Sequence, residues 1–226
     1  VGAGQFGSRA QFYYEHFYQK PGNIVKLVLK AVDLGVTGIQ ALPFRPIFRA
    51  LKAVERELKG SLTVVGTIGP DDPVSNIRDF QAFNTVAMLL HGEITDGRKS
   101  REILELLNKV HAAGCLAGLV THEPLSTLNW LLKTDLNPNL LMVPFNKLGM
   151  FMDADPVKVA EAVRRLGKPI IGKKILAAGY LPPKDALTYV AQSACIDIVA
   201  LGVASEQEAK ETFTAAATAF SGIIKA

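Results

Sequence analysis

The feature that most constrains this chain is an alternation of short apolar runs with amphipathic stretches. It recurs through eight rounds of the 226 residues, at roughly 28 residues per round, the pattern of strand, helix and parallel strand. The first round is a strand around Val1 to Gly4, a long polar-aromatic loop, and a helix from about Ile24 to Leu34. Strand Gly38 to Leu42 then precedes helix Pro46 to Lys59, strand Leu62 to Ile68 precedes helix Pro73 to Phe83, and strand Thr85 to Leu90 precedes helix Ser100 to Ala113. The remaining rounds pair strand Leu116 to Thr121 with helix Leu125 to Lys133, and strand Leu140 to Phe145 with helix Pro156 to Leu166. Strand Pro169 to Leu176 goes with helix Pro183 to Ser193, and strand Ile196 to Gly202 with helix Glu206 to Phe220. Eight βα units in about 220 residues predict an α/β fold closed as a (β/α)8 TIM barrel, one domain over residues 1–226. The chain opens on Val1 without a methionine, so the first strand is expected to be truncated.

Helix punctuation supports this register. Pro46, Pro73, Pro156 and Pro183 stand at early helical positions, where a missing N–H costs nothing. Gly35, Gly60, Gly114 and Gly167 follow helix ends, where a left-handed residue is wanted. Gly2, Gly4 and Gly7 spell GxGxxG, but almost no strand precedes them, and the second strand ends in Gln40, Ala41 and Leu42 with no acidic residue. A dinucleotide-binding open sheet is therefore disfavoured.

Composition narrows the partners. At 49% hydrophobic the chain is globular, and its formal charge of +4 is spread out rather than gathered in the basic stripe that nucleic acid demands. No apolar run reaches the length of a membrane span, and the opening residues are no signal peptide. Cys115 and Cys195 are far apart, with no spacing for zinc or a redox pair. They are expected as small buried side chains at the bottom of the barrel, and the cytoplasm as the compartment.

In a barrel the chemistry sits where strands end. The polar groups expected there are few: Gln5 after the first strand, Gln40 at the end of the second, Thr67 in the third, His91 and Glu93 after the fourth. Thr121, His122 and Glu123 follow the fifth, Asn146 and Lys147 the sixth, Lys173 and Lys174 stand in the seventh, and Ser205 and Glu206 follow the eighth. His91 and His122 end neighbouring strands, where an imidazole can act as a general acid or donate to a carbonyl oxygen. The consecutive lysines of PIIGKKIL are the sharpest anomaly, because adjacent strand residues face opposite sides and one must aim into the barrel or its mouth. Such a lysine can bind an anion, form a Schiff base, or snorkel to water. Six of the seventeen aromatics crowd into residues 6–18, including Tyr13, Tyr14 and Tyr18. That loop can lid the mouth, stack on a flat ligand, serve a homo-oligomer contact, or pack on outer helices.

Several segments, in order, resemble the aldo-keto reductase superfamily. The opening GAGQFG is similar to the family's first-strand GLGTxQFG, AVDLGVTGIQAL to ALDLGINFFDTA, and LLHG at 89–92 to its fourth-strand LLHG. LNKVHAAGCLAGLVTHEPLSTLNWLL resembles helix four through helix five, and KKILAAGYLPPKDALTYVAQSACIDIVALGVASEQEAKETF the carboxyl-terminal third. The resemblance implies a barrel that binds NADP(H) at its top and reduces aldehydes or ketones with a tyrosine acid assisted by lysine, aspartate and histidine.

Carried over by position, only the histidine remains, as His91. Gln40 stands for the aspartate, LPFRP places Phe44 near the tyrosine, and Gly66 or Thr67 replaces the lysine. The tetrad is thus degenerate. The resemblance leaves His91, Lys174 and an acid from the aromatic loop such as Tyr14 as catalytic candidates. Gln5, Gln40, Thr121, His122, Asn146, Lys173 and Ser205 are candidate contacts for NADP or NAD, and the acidic Glu206 and Glu208 favour the phosphate-free form as much as the other. Three readings stay open: a divergent, reductase-like barrel holding a nucleotide or another small anionic or carbonyl ligand, a Schiff-base aldolase or lyase on Lys173 or Lys174, and a non-catalytic barrel.

Overall fold

A computed structural model describes residues 8–221. Seven strands form one parallel sheet in sequence order: β1 (Gly38–Ala41), β2 (Thr63–Ile68), β3 (Thr85–Leu90), β4 (Leu116–Val120), β5 (Leu140–Pro144), β6 (Ile170–Lys173) and β7 (Ile198–Val199). Each strand pairs in parallel with the next, and a helix follows every one, as in a (β/α)8 barrel. The expected first strand, residues 1–4, lies outside the described residues, and so does Gln5.

The helices are α1 (Ser8–Tyr13), α2 (Pro21–Asp33), α3 (Arg45–Leu58), α4 (Pro73–Phe80), α5 (Gly92–Asp96), α6 (Ser100–Ala112), α7 (Pro124–Leu131), α8 (Pro156–Leu166), α9 (Pro183–Ser193) and α10 (Glu206–Phe220). Their ends follow the expected chemistry. Proline occupies the first turn of α3, α4, α8 and α9, and Gly35, Gly60, Gly114 and Gly167 all take positive φ after helix ends.

Strand parity sorts the core into two layers. Val64, Met88, Leu90, Leu119, Leu141, Val143 and Ile170 face outward and pack with Leu51, Ile103, Leu107, Leu128, Val159 and Leu187 of the helices. The opposite parity supplies a smaller cluster, Ala87, Leu89, Val120, Leu140, Met142 and Ile171, with Val65 and Ala200 against it. These residues from β2 to β6 and the end of β7 plug the inside of the barrel, as its taper requires. Each large apolar side chain so buried contributes ~1.5–3 kcal/mol.

Three expectations change. The polar-aromatic stretch is helical rather than loop: α1 runs into a π-helical turn at Tyr14–Tyr18, because Phe17 (3% exposed) inserts into the core and Tyr13 stacks on it at 5.8 Å. The seventh strand of the sequence reading ends at Lys173, since Lys174 turns left-handed (φ 56°) and Ala177 and Ala178 follow at positive φ. The last strand shrinks to Ile198–Val199, flanked by hydrogen bonds from Asp197 N–H to the Ile170 carbonyl and from Ala200 N–H to the Gly172 carbonyl. Both cysteines are free and lie at strand entries, and burial raises both thiols. Among the described residues, no helix is long and apolar enough to cross a membrane.

Candidate active site

Two-residue steps along the strands carry the interior face up to the mouth. Leu89 leads to His91, Val120 to His122, Ile171 to Lys173 and Val65 to Thr67, so four polar groups stand one layer above the apolar plug. Gln40 joins them from β1, its Nε2 donating to Thr67 Oγ1 at 2.9 Å. Gln40 and Thr67 thus form a neutral hydrogen-bonded pair at two positions where the family resemblance implies charged residues.

His91 ends β3 and caps α5. Its Nδ1 accepts from the Glu93 N–H at 3.3 Å. Burial, then the neighbouring His122, lowers its pKa, so at neutral pH the imidazole is uncharged. With Nδ1 accepting, the ring proton belongs on Nε2, which becomes a hydrogen-bond donor.

His122 ends β4, its ring 5.6 Å from that of His91 and tilted by 66°. Its Nδ1 lies 3.4 Å from Asp96 Oδ2, and its backbone N–H donates to the same oxygen at 3.0 Å. Asp96 Oδ1 accepts from Thr121 Oγ1 at 2.5 Å and from Thr127 Oγ1 at 3.3 Å. Burial pushes the Asp96 carboxyl up, but the hydrogen bonds from His122 and Thr121 outweigh it and hold it below the usual carboxylate range. Asp96 thus stands against the Nδ1 edge of His122 and holds its backbone, an imidazole–carboxylate pairing of the kind acid–base chemistry uses. Gly92 makes room for it: a Cβ there would overlap His122 Nδ1. Arg98, at the end of the same segment, pairs with Glu123 beside the dyad.

The two lysines divide as strand parity requires. Lys173 continues the interior face, and its ammonium acts electrostatically on His91 and Asp96. Burial, reinforced by the adjacent Lys174, lowers its pKa to about 7. Lys174 instead sets its Nζ 4.8 Å over the Phe151 ring. The electrostatic neighbour of His91 is therefore Lys173, whereas the sequence reading gave the catalytic role to Lys174.

The remaining candidates are engaged within the chain. Asn146, fully buried, donates through Nδ2 to the Met150 and Lys174 carbonyls and accepts at Oδ1 from the Leu148 and Met150 N–H groups. Thr121 is held by Asp96. Ser205 caps α10 by accepting from the Glu208 N–H, while the Glu208 carboxylate accepts from the Ala204 N–H. Tyr14 is exposed (58%) on the π-helical turn, and it is Tyr18 that reaches the rim, its ring 5.8 Å from Phe44. Four of the donors assigned to a nicotinamide nucleotide, Gln40, Thr121, Asn146 and Ser205, are thus committed elsewhere, and an acidic first turn on α10 (Glu206 and Glu208) faces a phosphate unfavourably. These four do not fit that group as arranged.

The sequence pointed to His91 and Glu93 in this segment but not to Asp96, to the short helix α5, or to the packing role of Gly92. Their signal lies in HGEITDG itself: a small residue directly after the strand-end histidine and an aspartate one helical turn further on.

No protein-family model matches the chain, and no curated protein matches it. Solved structures do. A Pseudomonas aeruginosa protein assigned as an aldo-keto reductase superposes with a TM-score of 0.69 at 20% identity, over 88% of this chain and 84% of that one. The fold is a (β/α)8-type barrel, shared with that protein. Aldose reductase from Giardia lamblia follows at 0.65 and 10% identity, over 86% and 83% of the two chains. Phosphoribosyl anthranilate isomerase from Thermus thermophilus, another barrel, reaches 0.59 at 18% identity, over 86% and 94%. At such identities the likeness is one of fold, and the chemistry must be argued from the mouth of the barrel.

Proposed function

We propose that this protein is a divergent aldo-keto reductase-like barrel that binds a small carbonyl compound, its oxygen directed at His91 and His122 and its carbon toward Lys173. The observation that carries the reading is that His91, His122 and Lys173 stand at the interior parity of β3, β4 and β6, one step beyond an apolar plug, with the two imidazoles 5.6 Å apart. A neutral Nε2–H on His91 polarises a carbonyl oxygen without a competing charge, and the His122–Asp96 dyad supplies or removes a proton there. Desolvation by the barrel walls strengthens both contacts.

The nicotinamide nucleotide implied by the family is a separate matter. Likeness of fold supports it, but the commitment of Gln40, Thr121, Asn146 and Ser205 to other partners opposes it, so no hydride step is assigned to this chain. The partner in this reading is the small molecule rather than nucleic acid or a membrane, in keeping with the dispersed +4 charge. Two free cysteines suit a reducing cytoplasm.

The test is a thermal-melting and proton-NMR screen of the full chain against small aldehydes, ketones and 2-oxoacids, each with and without NADH or NADPH. Carbonyl compounds are expected to raise the melting temperature and shift the His91 and His122 ring resonances without nucleotide. A response that appears only with nucleotide present would replace this reading with a hydride-transferring reductase. No response to any of them would make the barrel a non-catalytic scaffold.

A further inference from the structure

We infer that Lys173 is an imine-forming lysine, whose amine condenses with the carbonyl carbon of an aldehyde or ketone held in the barrel mouth. The inference rests on the carbonyl-binding reading above and adds a covalent step to it.

Four observations support it. Lys173 stands two residues beyond Ile171, a member of the interior plug, and in register with Pro144, so it continues the interior face of β6 at the end of the strand. No ion pair holds it among the described residues, and Asp96 is committed to Thr121, Thr127 and His122. Lys174 is withheld from the same task. Its backbone is left-handed, its carbonyl accepts from Asn146 Nδ2 at 3.2 Å, and its ammonium rests on Phe151, leaving it as a fixed positive charge beside its neighbour. Burial and that charge bring the Lys173 amine to about 7, so near neutral pH much of it carries a free lone pair.

The chemistry balances without an oxidant or reductant. The Lys173 nitrogen lone pair attacks the carbonyl carbon, a C–N bond forms, and the C=O π pair moves to oxygen, which takes a proton from the His122 side of the mouth. The nitrogen then returns a proton to the same imidazole, which passes it to the hydroxyl. The nitrogen lone pair forms C=N as the C–O bond breaks and the oxygen departs as water, and the resulting protonated imine gives its remaining N–H proton back to the imidazole. The histidines touch the oxygen throughout, and Lys173 touches the carbon.

The experiment is reductive trapping. The full chain is incubated at neutral pH with glyceraldehyde, dihydroxyacetone or pyruvate, treated with borohydride, digested, and mapped by peptide mass spectrometry. The expected result is an adduct on Lys173 in ~10-fold or greater excess over any other lysine, as the larger neutral fraction of its amine requires. K173M is expected to lose that adduct and K174M to keep it, with circular dichroism confirming that both fold. An even spread of label over lysines, or an unmodified Lys173, overturns the inference whatever the variants do. Ring shifts of His91 or His122 with the same compounds but no adduct leave carbonyl binding standing and remove the covalent step. Absence of both removes the two together.

Discussion

Replacing Asp96 tests whether the dyad is as rigid as its geometry indicates. The carboxylate, 16% exposed, accepts from Thr121 Oγ1, the His122 N–H and Thr127 Oγ1 at 2.5, 3.0 and 3.3 Å, and sits 3.4 Å from His122 Nδ1. A hydrogen bond to a charged acceptor is worth ~1.5–3 kcal/mol, yet these do not add. The Thr121 and Thr127 hydroxyls lie 2.9 Å apart and can satisfy each other once the carboxylate is gone, while the His122 N–H cannot. Asp96→Ala is therefore expected to cost ~3 kcal/mol in urea denaturation, about 6–12 °C in melting temperature for a chain of this size. Asp96→Asn keeps an acceptor oxygen and loses the charge, so ~1 kcal/mol is expected. Because the folded carboxyl titrates below its unfolded value, the advantage of the native protein over Asp96→Asn is fully present above about pH 4 and disappears as pH falls through the folded pKa. An Asp96→Ala variant within ~0.5 kcal/mol of the native protein, or a difference from Asp96→Asn that persists in acid, would refute the argument.

Lys173→Met removes a half-buried amine whose folded pKa, about 7, lies below its unfolded one. Between those values the unfolded chain binds more protons, so native stability should gain on the variant as pH rises from 7 to 10, by a ceiling of roughly 4 kcal/mol. Parallel denaturation curves at several pH values measure it, and a flat difference would contradict the burial. Gly118→Ala places a Cβ 2.7 Å from the Leu140 carbonyl and 2.9 Å from Leu89 inside the plug, and because a backbone atom cannot yield, ~3 kcal/mol or more should be lost in chemical denaturation. Asn146→Ala strands backbone groups around Met150 and Lys174, with an expected cost of ~2–4 kcal/mol and faster proteolytic cutting within residues 147–153 as the readout. Gly92→Ala should drive the His122 ring off Asp96 and move its ring proton resonances while leaving the unfolding free energy within ~2 kcal/mol of native.

What the sequence made legible was whatever local chemistry determines. Periodicity and punctuation located α8, α9 and α10 to the residue, since proline, capping side chains and glycine act within one turn. Strand ends were harder. The apolar run 169–176 continues past Lys173, and only a left-handed Lys174, pinned through Asn146 from another segment, stops the strand. The aromatic stretch hid a helix because its periodicity serves Phe17 and Tyr13 rather than a long amphipathic face. In the site, His91 and His122 were visible as strand-end imidazoles. Asp96 was not, because its role depends on α5 folding back so that its carboxylate meets a residue 26 positions later. Parity could have chosen between the lysines only once β6 was known to run through Ile171.

The redistribution of charge around the mouth decides which way a ligand must face. On the β1–β2 side the layer is neutral, Gln40 bonded to Thr67, and a neutral pair buries with little desolvation cost and offers neither strong acid nor strong base. The ionisable groups occupy the other arc: His91 on β3, His122 on β4 with Asp96 behind it, and Lys173 on β6. Between β4 and β6 stands β5, whose interior position at the same height is Pro144, paired in register with Lys173 and carrying no polar side-chain group. Under the proposed reading, a carbonyl compound in this arc would set its oxygen between two imidazoles and its carbon toward β6, with its substituents directed across Pro144 or toward Gln40. That orientation would present a nucleophilic nitrogen to the reacting carbon, at a mouth where Phe44 offers no phenol.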